Sequence, residues 1–307
     1  MAKKREYWAN SKTFSIVLKL LGILVLLLGV FSLIKSCREC TYLANIVDKT
    51  GYLPDNENWD NIPNVQPPYN DDDTLNLPES VMLEQFFPPI GDQGDKGTCV
   101  AWAVGYNLKT ALNAITGKWT SDDLAQPSHQ TSPKDLWLCI PQEQKGNSCS
   151  GTGFEPAFNT LMTTGAASMS QIPYQDLRGC IGAGTGDSSN RINGYYHVVS
   201  DGEIPKLGQL KAYLADTIPL VIGGHLGDNF MRWSSDDVIK ADSYRRTGMH
   251  AFHAMALVGY DDSRHAFRLR NSWGENWGDK GSIWVDYDFF CRELCFVVFI
   301  AENRNNN

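Results

Sequence analysis

Apolar residues fall into two regimes along the chain: one unbroken run near the start, and periodic segments that begin near Leu77. The run, Phe14 to Ile34, is 21 residues long and carries a single charge, Lys19, so as a helix it is long enough to cross a bilayer. Lys3, Lys4, Arg5 and Lys12 precede it, which predicts a cytoplasmic stretch at 1–13, an anchor at 14–34 and a chain that continues on the outer side. A cleaved signal peptide fits less well, because the apolar run is long and no small-x-small site follows Ile34 cleanly. Lipidation at Cys37 is a further alternative, opposed by Lys35.

Residues 35–76 show no sustained period. Between Tyr52 and Thr74 stand six acids (Asp55, Glu57, Asp60, Asp71, Asp72, Asp73) and no Lys or Arg, among many turn formers, so the segment reads as an extended acidic linker. The folded domain is expected at 77–307. Its first strong element is a helix from Thr98, as N-cap, to Gly117, with a broad apolar face from Val100, Ala103, Leu108, Ala111, Leu112 and Ile115. Farther on, Ala254 to Tyr260 reads as a buried strand, Asp261 to Arg264 as a turn, and His265 to Arg270 as a second strand. Paired as a hairpin, these strands bring His253 and Asn271 to the same end of a sheet, whereas His250 points to the other face.

Composition then narrows the function classes. With 11% aromatic and 20% charged residues, the 307-residue chain has ample material for a core. A formal charge of -8 argues against a nucleic-acid partner, which would need a basic surface. Cys37 and Cys40 form an isolated CxxC without a second ligand pair, and no metal or cofactor is implied.

Chemistry concentrates at "DQGDKGTCVAW", where Cys99 falls in the first turn of the predicted helix. Unpaired N–H groups at a helix start favour thiolate over thiol. A nucleophilic thiolate needs a base, and the base needs a group that holds its ring; His253 and Asn271 are the candidates. Three blocks carry a resemblance to the papain family of cysteine peptidases: "QGDKGTCVAW", "HAMALVGYDD" and "NSWGENWGDKGSIWV". In them Gln93 resembles the family's oxyanion-hole residue, Cys99 its nucleophile, His253 its catalytic base, Asn271 the group orienting that base and Trp273 the indole shielding their hydrogen bond.

The resemblance spans about Leu77 to Glu302. It implies an α+β, two-lobed fold with a helical lobe, an antiparallel barrel-like lobe and an active-site cleft between them, here preceded by a transmembrane helix. It implies peptide hydrolysis through an acyl-enzyme, with a Cys99 thiolate paired to a His253 imidazolium. The glycines that line the substrate backbone in the family correspond loosely to Gly151 and Gly153. The family pattern also implies a Cys139–Cys180 disulfide, while Lys96 stands where a Cys would bridge to Cys149. Cys149 is then left without an obvious partner, and Cys291 and Cys295 are close enough in sequence to bridge locally. A noncatalytic peptide-binding relative and a thiol acyltransferase or amidase are the competing readings. No long helical prosegment is visible, so either constitutive activity or occupation of the cleft by the short acidic linker is expected. A single span with an outward peptidase domain suits a bacterial envelope protein, its catalytic part periplasmic or extracellular.

Overall fold

The computed structural model describes residues 50–54, 57–64, 76–175, 180, 182–243 and 251–304. The apolar run 14–34, Cys37, Cys40 and His250 lie outside the described residues. Among the described residues no helix is long and apolar enough to cross a membrane.

The predicted central helix is present as α1, residues 99–117, buried on nearly every side over its first half. Its middle, Trp102–Lys109, widens to a π-helical turn, a departure often found near functional sites. Two details differ from expectation. The Thr98 hydroxyl does not cap the helix; it meets the Tyr174 hydroxyl at 2.7 Å. The stop comes at Lys118, which adopts a left-handed conformation (φ 54°) after Gly117. Helix α2, Pro133–Cys139, has Pro at its start and a Ser132 hydroxyl that accepts from the Asp135 N–H. Helix α3, Phe154–Thr163, follows Gly153, which offers no side-chain cap. With α1 these helices enclose a core that includes Val104, Leu108, Leu136, Trp137, Phe158 and Leu161.

The sheet comprises β1 (Ser80–Met82), β2 (Ile192–Val199), β3 (Leu220–Leu226), β4 (Val238–Ile239), β5 (Ala251–Asp261), β6 (Ala266–Arg270), β7 (Ser282–Asp286) and β8 (Cys295–Asn303). Its order is β2-β8-β3-β5-β6-β7-β4, with β1 also pairing to β5. The pairs are antiparallel except β4 with β7, which is parallel and departs from the all-antiparallel expectation. Adjacent residues of the central strands feed different cores: Val221 and Val297 join the helical cluster, Ile222 and Val298 the cluster on the opposite side. Burial on both faces explains why these strands read as continuous apolar runs rather than alternating ones. Between the two sides, buried Arg270 donates to the Asn107 side-chain oxygen on α1 at 3.2 Å and to the Pro88 carbonyl.

Two expectations need correction. The disulfide joins Cys149 to Cys180, whose Cα atoms lie 5.4 Å apart, and not Cys139 to Cys180. Cys139 is free at the end of α2, with its sulfur packed against Gly184, and Cys291 and Cys295 are free as well. Second, the linker is not a solvated tether where it is described. Thr50, Gly51, Tyr52 and Ile62 are buried, and Trp59 stacks on Phe299 with ring centroids 5.9 Å apart. These apolar side chains gain more by leaving water than the neighbouring acids lose by crowding.

Candidate active site

Strand pairing does for His253 and Asn271 what the hairpin reading predicted. Ala256 stands opposite Arg270, so His253 on β5 and Asn271 just beyond β6 share one end of the sheet. The His253 Nε2 lies 2.7 Å from the Asn271 Oδ1. That oxygen also accepts from the Ser272 N–H at 2.7 Å, which fixes the orientation of the amide. An amide oxygen accepts only, so Nε2 must carry the proton and Nδ1 keeps the lone pair. Nδ1 is buried without a hydrogen-bond partner. Trp273 lies tilted over the imidazole, centroid to centroid 4.5 Å, and is itself flanked by Phe230 and Trp277.

Cys99 opens α1 beside this pair: the N–H of Ala254, the residue after His253, reaches its sulfur. Gln93 completes the corner. Its backbone N–H donates to the Ser272 carbonyl at 2.9 Å, its Oε1 accepts from the Ser272 hydroxyl at 2.6 Å, and its Nε2 donates to the Lys96 carbonyl at 2.7 Å. The loop that presents Cys99 is therefore tied to the residue following Asn271. All of Gln93, Cys99, His253, Asn271 and Trp273 converge here.

Burial opposes the ionic pair that the resemblance implies. Cys99 and His253 are both 0% exposed. Burial pushes the thiol up to about 12, against the pull of backbone N–H groups of Ala254, Val100, Gly51 and Cys99 itself. Burial likewise pushes the imidazole down to about 4, with the Asn271 hydrogen bond opposing. While the site is covered, desolvation works against the helix-start effect and favours a thiol beside a neutral imidazole.

What excludes water is a strap formed by residues 50–53. Gly51 and Tyr52 donate to the Phe252 carbonyl at 3.3 Å each, Thr152 donates to the Gly51 carbonyl at 2.9 Å, and Leu53 donates to the Thr152 carbonyl at 3.0 Å. The strap runs parallel to the segment around Thr152. Gly51 closes on the Cys99 loop so tightly that a Cβ there would lie 2.1 Å from the Gly97 carbonyl oxygen. Of the two glycines expected to line a bound backbone, Gly151 touches the strap near Gly51 and Leu53, whereas Gly153 serves as the residue before α3. Thr152, between them, makes the pairing bonds.

A carboxylate fastens the strap. Glu57 accepts from the Phe154 N–H at 2.5 Å and the Glu155 N–H at 2.8 Å, supplying the cap that α3 lacks in its own sequence. Burial raises its pKa from 4.5 to about 7, with these two N–H groups opposing. Tyr52, Thr152, Ser272 and Glu57 were not singled out from sequence. The available signal was three apolar residues, Tyr52, Trp59 and Ile62, spaced through an otherwise polar stretch.

The model of the family described as "Papain family cysteine protease" matches residues 78–294. Cathepsin K from Gallus gallus is 28% identical over 224 residues, covering 70% of this chain and 60% of that one. Vignain from Phaseolus vulgaris is 27% identical over 217 residues, covering 69% of this chain and 54% of that one. The chain spans about half the length of such relatives, 39% for a gamete and mating-type specific protein of Dictyostelium discoideum. Among solved structures, xylellain, a cysteine protease from Xylella fastidiosa, superposes with a TM-score of 0.65 at 22% identity, covering 84% of this chain and 97% of that one.

Proposed function

From the premise that the chain belongs to the papain family of cysteine proteases, we propose that it hydrolyses peptide bonds and that residues 50–53 hold it latent. The observation that carries this reading is the buried His253–Asn271 hydrogen bond under Trp273, placed beside a thiol at a helix start. Once the strap leaves, water reaches the pair and Nδ1 of His253 takes the Cys99 proton. The thiolate attacks a peptide carbonyl, and the resulting oxyanion is held by the Gln93 amide and the Cys99 backbone N–H. His253 returns the proton to the departing amine, leaving an acyl-enzyme. Water, deprotonated by the same Nδ1, then releases the acid.

Latency follows from two features of the strap. It fills the edge that a peptide would pair with, and it leaves the nucleophile protonated. An epoxide or vinyl-sulfone peptide probe tests both, applied to the full chain, to Tyr52→Ala and to Tyr52→Ala with Cys99→Ala. Strong labelling of Tyr52→Ala, weak labelling of the unaltered chain and none without Cys99 is the expected pattern. If Tyr52→Ala neither labels nor digests a denatured protein, the noncatalytic peptide-binding reading replaces this one.

The proposal extends to location: a bacterial protein with residues 1–13 cytoplasmic, 14–34 as anchor, 35–76 as connector and 77–307 as a periplasmic or extracellular peptidase domain. Its support is the apolar run and the basic residues before it.

A further inference from the structure

We propose that a polar cleft at the far end of α1 from Cys99, bounded by Asn113, Trp119, Gln130, Asp187 and Arg304, binds an uncharged pyranose sugar. The cleft holds about 380 Å³, within the span of about 300–1,000 Å³ usual for small-molecule sites. Such sites are lined mostly by apolar side chains, with a few polar groups that orient the ligand. Here the proportion is reversed: amides, hydroxyls, an imidazole, one carboxylate and one guanidinium surround a single indole. A ligand that suits this lining is polar over most of its surface and flat and apolar over a small part of it. A pyranose ring has that make-up.

The floor of the cleft is fixed before any ligand arrives. Buried Lys109 donates to the side-chain oxygens of Asn113 at 2.5 Å and Asn303 at 2.8 Å. Asn113 donates in turn to Asn190 at 2.9 Å, and Asn190 to the Ala166 carbonyl at 2.8 Å. Amides held in this way lose little freedom on binding.

What remains open is a mixture of acceptors and donors. Gln130 is 6% exposed and donates to the Leu124 carbonyl at 2.8 Å, while its Oε1 makes no hydrogen bond among the described residues. An acceptor in that position costs stability unless water or a ligand hydroxyl serves it. Asp187 spends one oxygen on the Ser189 N–H and hydroxyl, at 2.8 and 2.6 Å, which leaves the other. Donors come from Arg304, which uses one N–H group on the Ser188 carbonyl, and from the amide nitrogen of Gln171, whose oxygen is held by Ser168. Neighbouring hydroxyls each give and take a hydrogen bond, so they satisfy such a mixture where a simple anion or cation does not.

Trp119 supplies the flat patch. Its ring lies 4.5 Å from that of His129, tilted by 36°, and the His129 Nδ1 is tied to the Asp123 carbonyl at 2.8 Å. Gly117 makes room for the indole, since a Cβ there would lie 2.5 Å from its Nε1. The C–H face of a pyranose packs on an aromatic body of this kind while its hydroxyls reach the polar wall. Charge then selects among sugars: Arg304 and Asp187 offset each other in a chain of net charge -8, so a sulfated or sialylated sugar finds no positive field. Cys99 and Asn113 lie at opposite ends of α1, about 20 Å apart at the usual helical rise, so an occupied cleft leaves the catalytic corner free.

The test uses the full chain, kept in a detergent without a sugar headgroup, on a printed array of uncharged, sialylated and sulfated glycans. The best ligand and its constituent monosaccharide are then titrated by calorimetry. Expected is retention of a restricted set of uncharged glycans, with affinity lowered about tenfold or more by Trp119→Ala and by Gln130→Met. Where an unfolding midpoint shows that either variant is damaged, Gln171→Ala, at an exposed position on the rim, carries the test with an expected loss of about threefold. A monosaccharide bound at least tenfold more weakly than the glycan identifies a chain end as the source, and equal affinity identifies a free sugar; both support the inference. No retained glycan, a preference for sulfated or sialylated ones, or an affinity that none of the three variants changes overturns it. The peptidase reading stands in either case, because none of these residues takes part in it.

Discussion

At the scale of single residues, the site is a contest between two environments for one proton. Dehydration raises the thiol and lowers the imidazole, which disfavours the reactive ionic pair while the site is covered. Alkylation of Cys99 by iodoacetamide at pH 7 is therefore expected to be about 100-fold faster in Tyr52→Ala than in the unaltered chain, since thiolate fraction and access rise together. Equal rates would mean that the strap does not govern the sulfur. Gln93 contributes later in the reaction: Gln93→Ala should lower kcat by about 10²–10³-fold with little change in alkylation rate. A parallel loss of alkylation would instead assign Gln93 to positioning the thiol loop. The five residues of this corner were legible in the sequence because each chemical role restricts residue type and each lies in a dense local motif. Their charge state was not, because the helix start is a local feature and the covering strap is a distant one. The Cys139–Cys180 pairing, which the family pattern implies, gives way to Cys149–Cys180, because which sulfurs meet is decided by the local fold, and the Cys139 sulfur packs against Gly184 instead.

At the scale of elements, α1 and the β5–β6 hairpin emerged from periodicity, whereas the segment 50–64 did not. Its composition signals solvation, yet Tyr52 and Ile62 are buried, Trp59 packs on Phe299, and Glu57 completes α3. A carboxyl that is capped in place should make docking depend on pH, and the sign follows from linkage. Glu57 rises from an ordinary 4.5 to about 7 on docking, so the docked strap binds a proton more tightly than the free one. Docking is then favoured by Glu57 at low pH and weakens as pH rises through about 7. Conversion of the neutral Cys99–His253 pair to the ionic pair moves a proton within the pair and releases none, so it adds no slope near neutrality. Latency measured with a small peptide amide, after correction for the intrinsic profile of Tyr52→Ala, should fall between pH 5 and pH 8. In Glu57→Gln the slope should vanish. A slope that persists in Glu57→Gln points to another group, and a slope of opposite sign contradicts the burial of this carboxyl.

At the scale of the whole molecule, two cores share the central strands, and Arg270 ties α1 to the strand that leads into Asn271. The Cys149–Cys180 bond closes a 31-residue separation. Replacing both cysteines with Ser should lower unfolding free energy by about 3–4 kcal/mol in a denaturant titration. A loss under about 1 kcal/mol would show that the unfolded chain is already confined there without the bond. Location is checked at this scale too: a tag placed after Asn307 should be removed by protease added to spheroplasts, and one placed before Met1 should be spared. The division into helical and sheet-rich parts was readable from sequence, whereas the strap between position 50 and the cleft was not, because its contacts are made across roughly 100 to 200 positions of chain. That covering has a consequence for durability. Peroxide and stray electrophiles attack thiolates that they can reach, and burial both disfavours ionisation of this sulfur and keeps it from solvent. Latent stock exposed to oxidant and then released should recover its full turnover, while molecules already uncovered should be permanently lost, so the strap would act as a shelf-life device for the very atom that it silences.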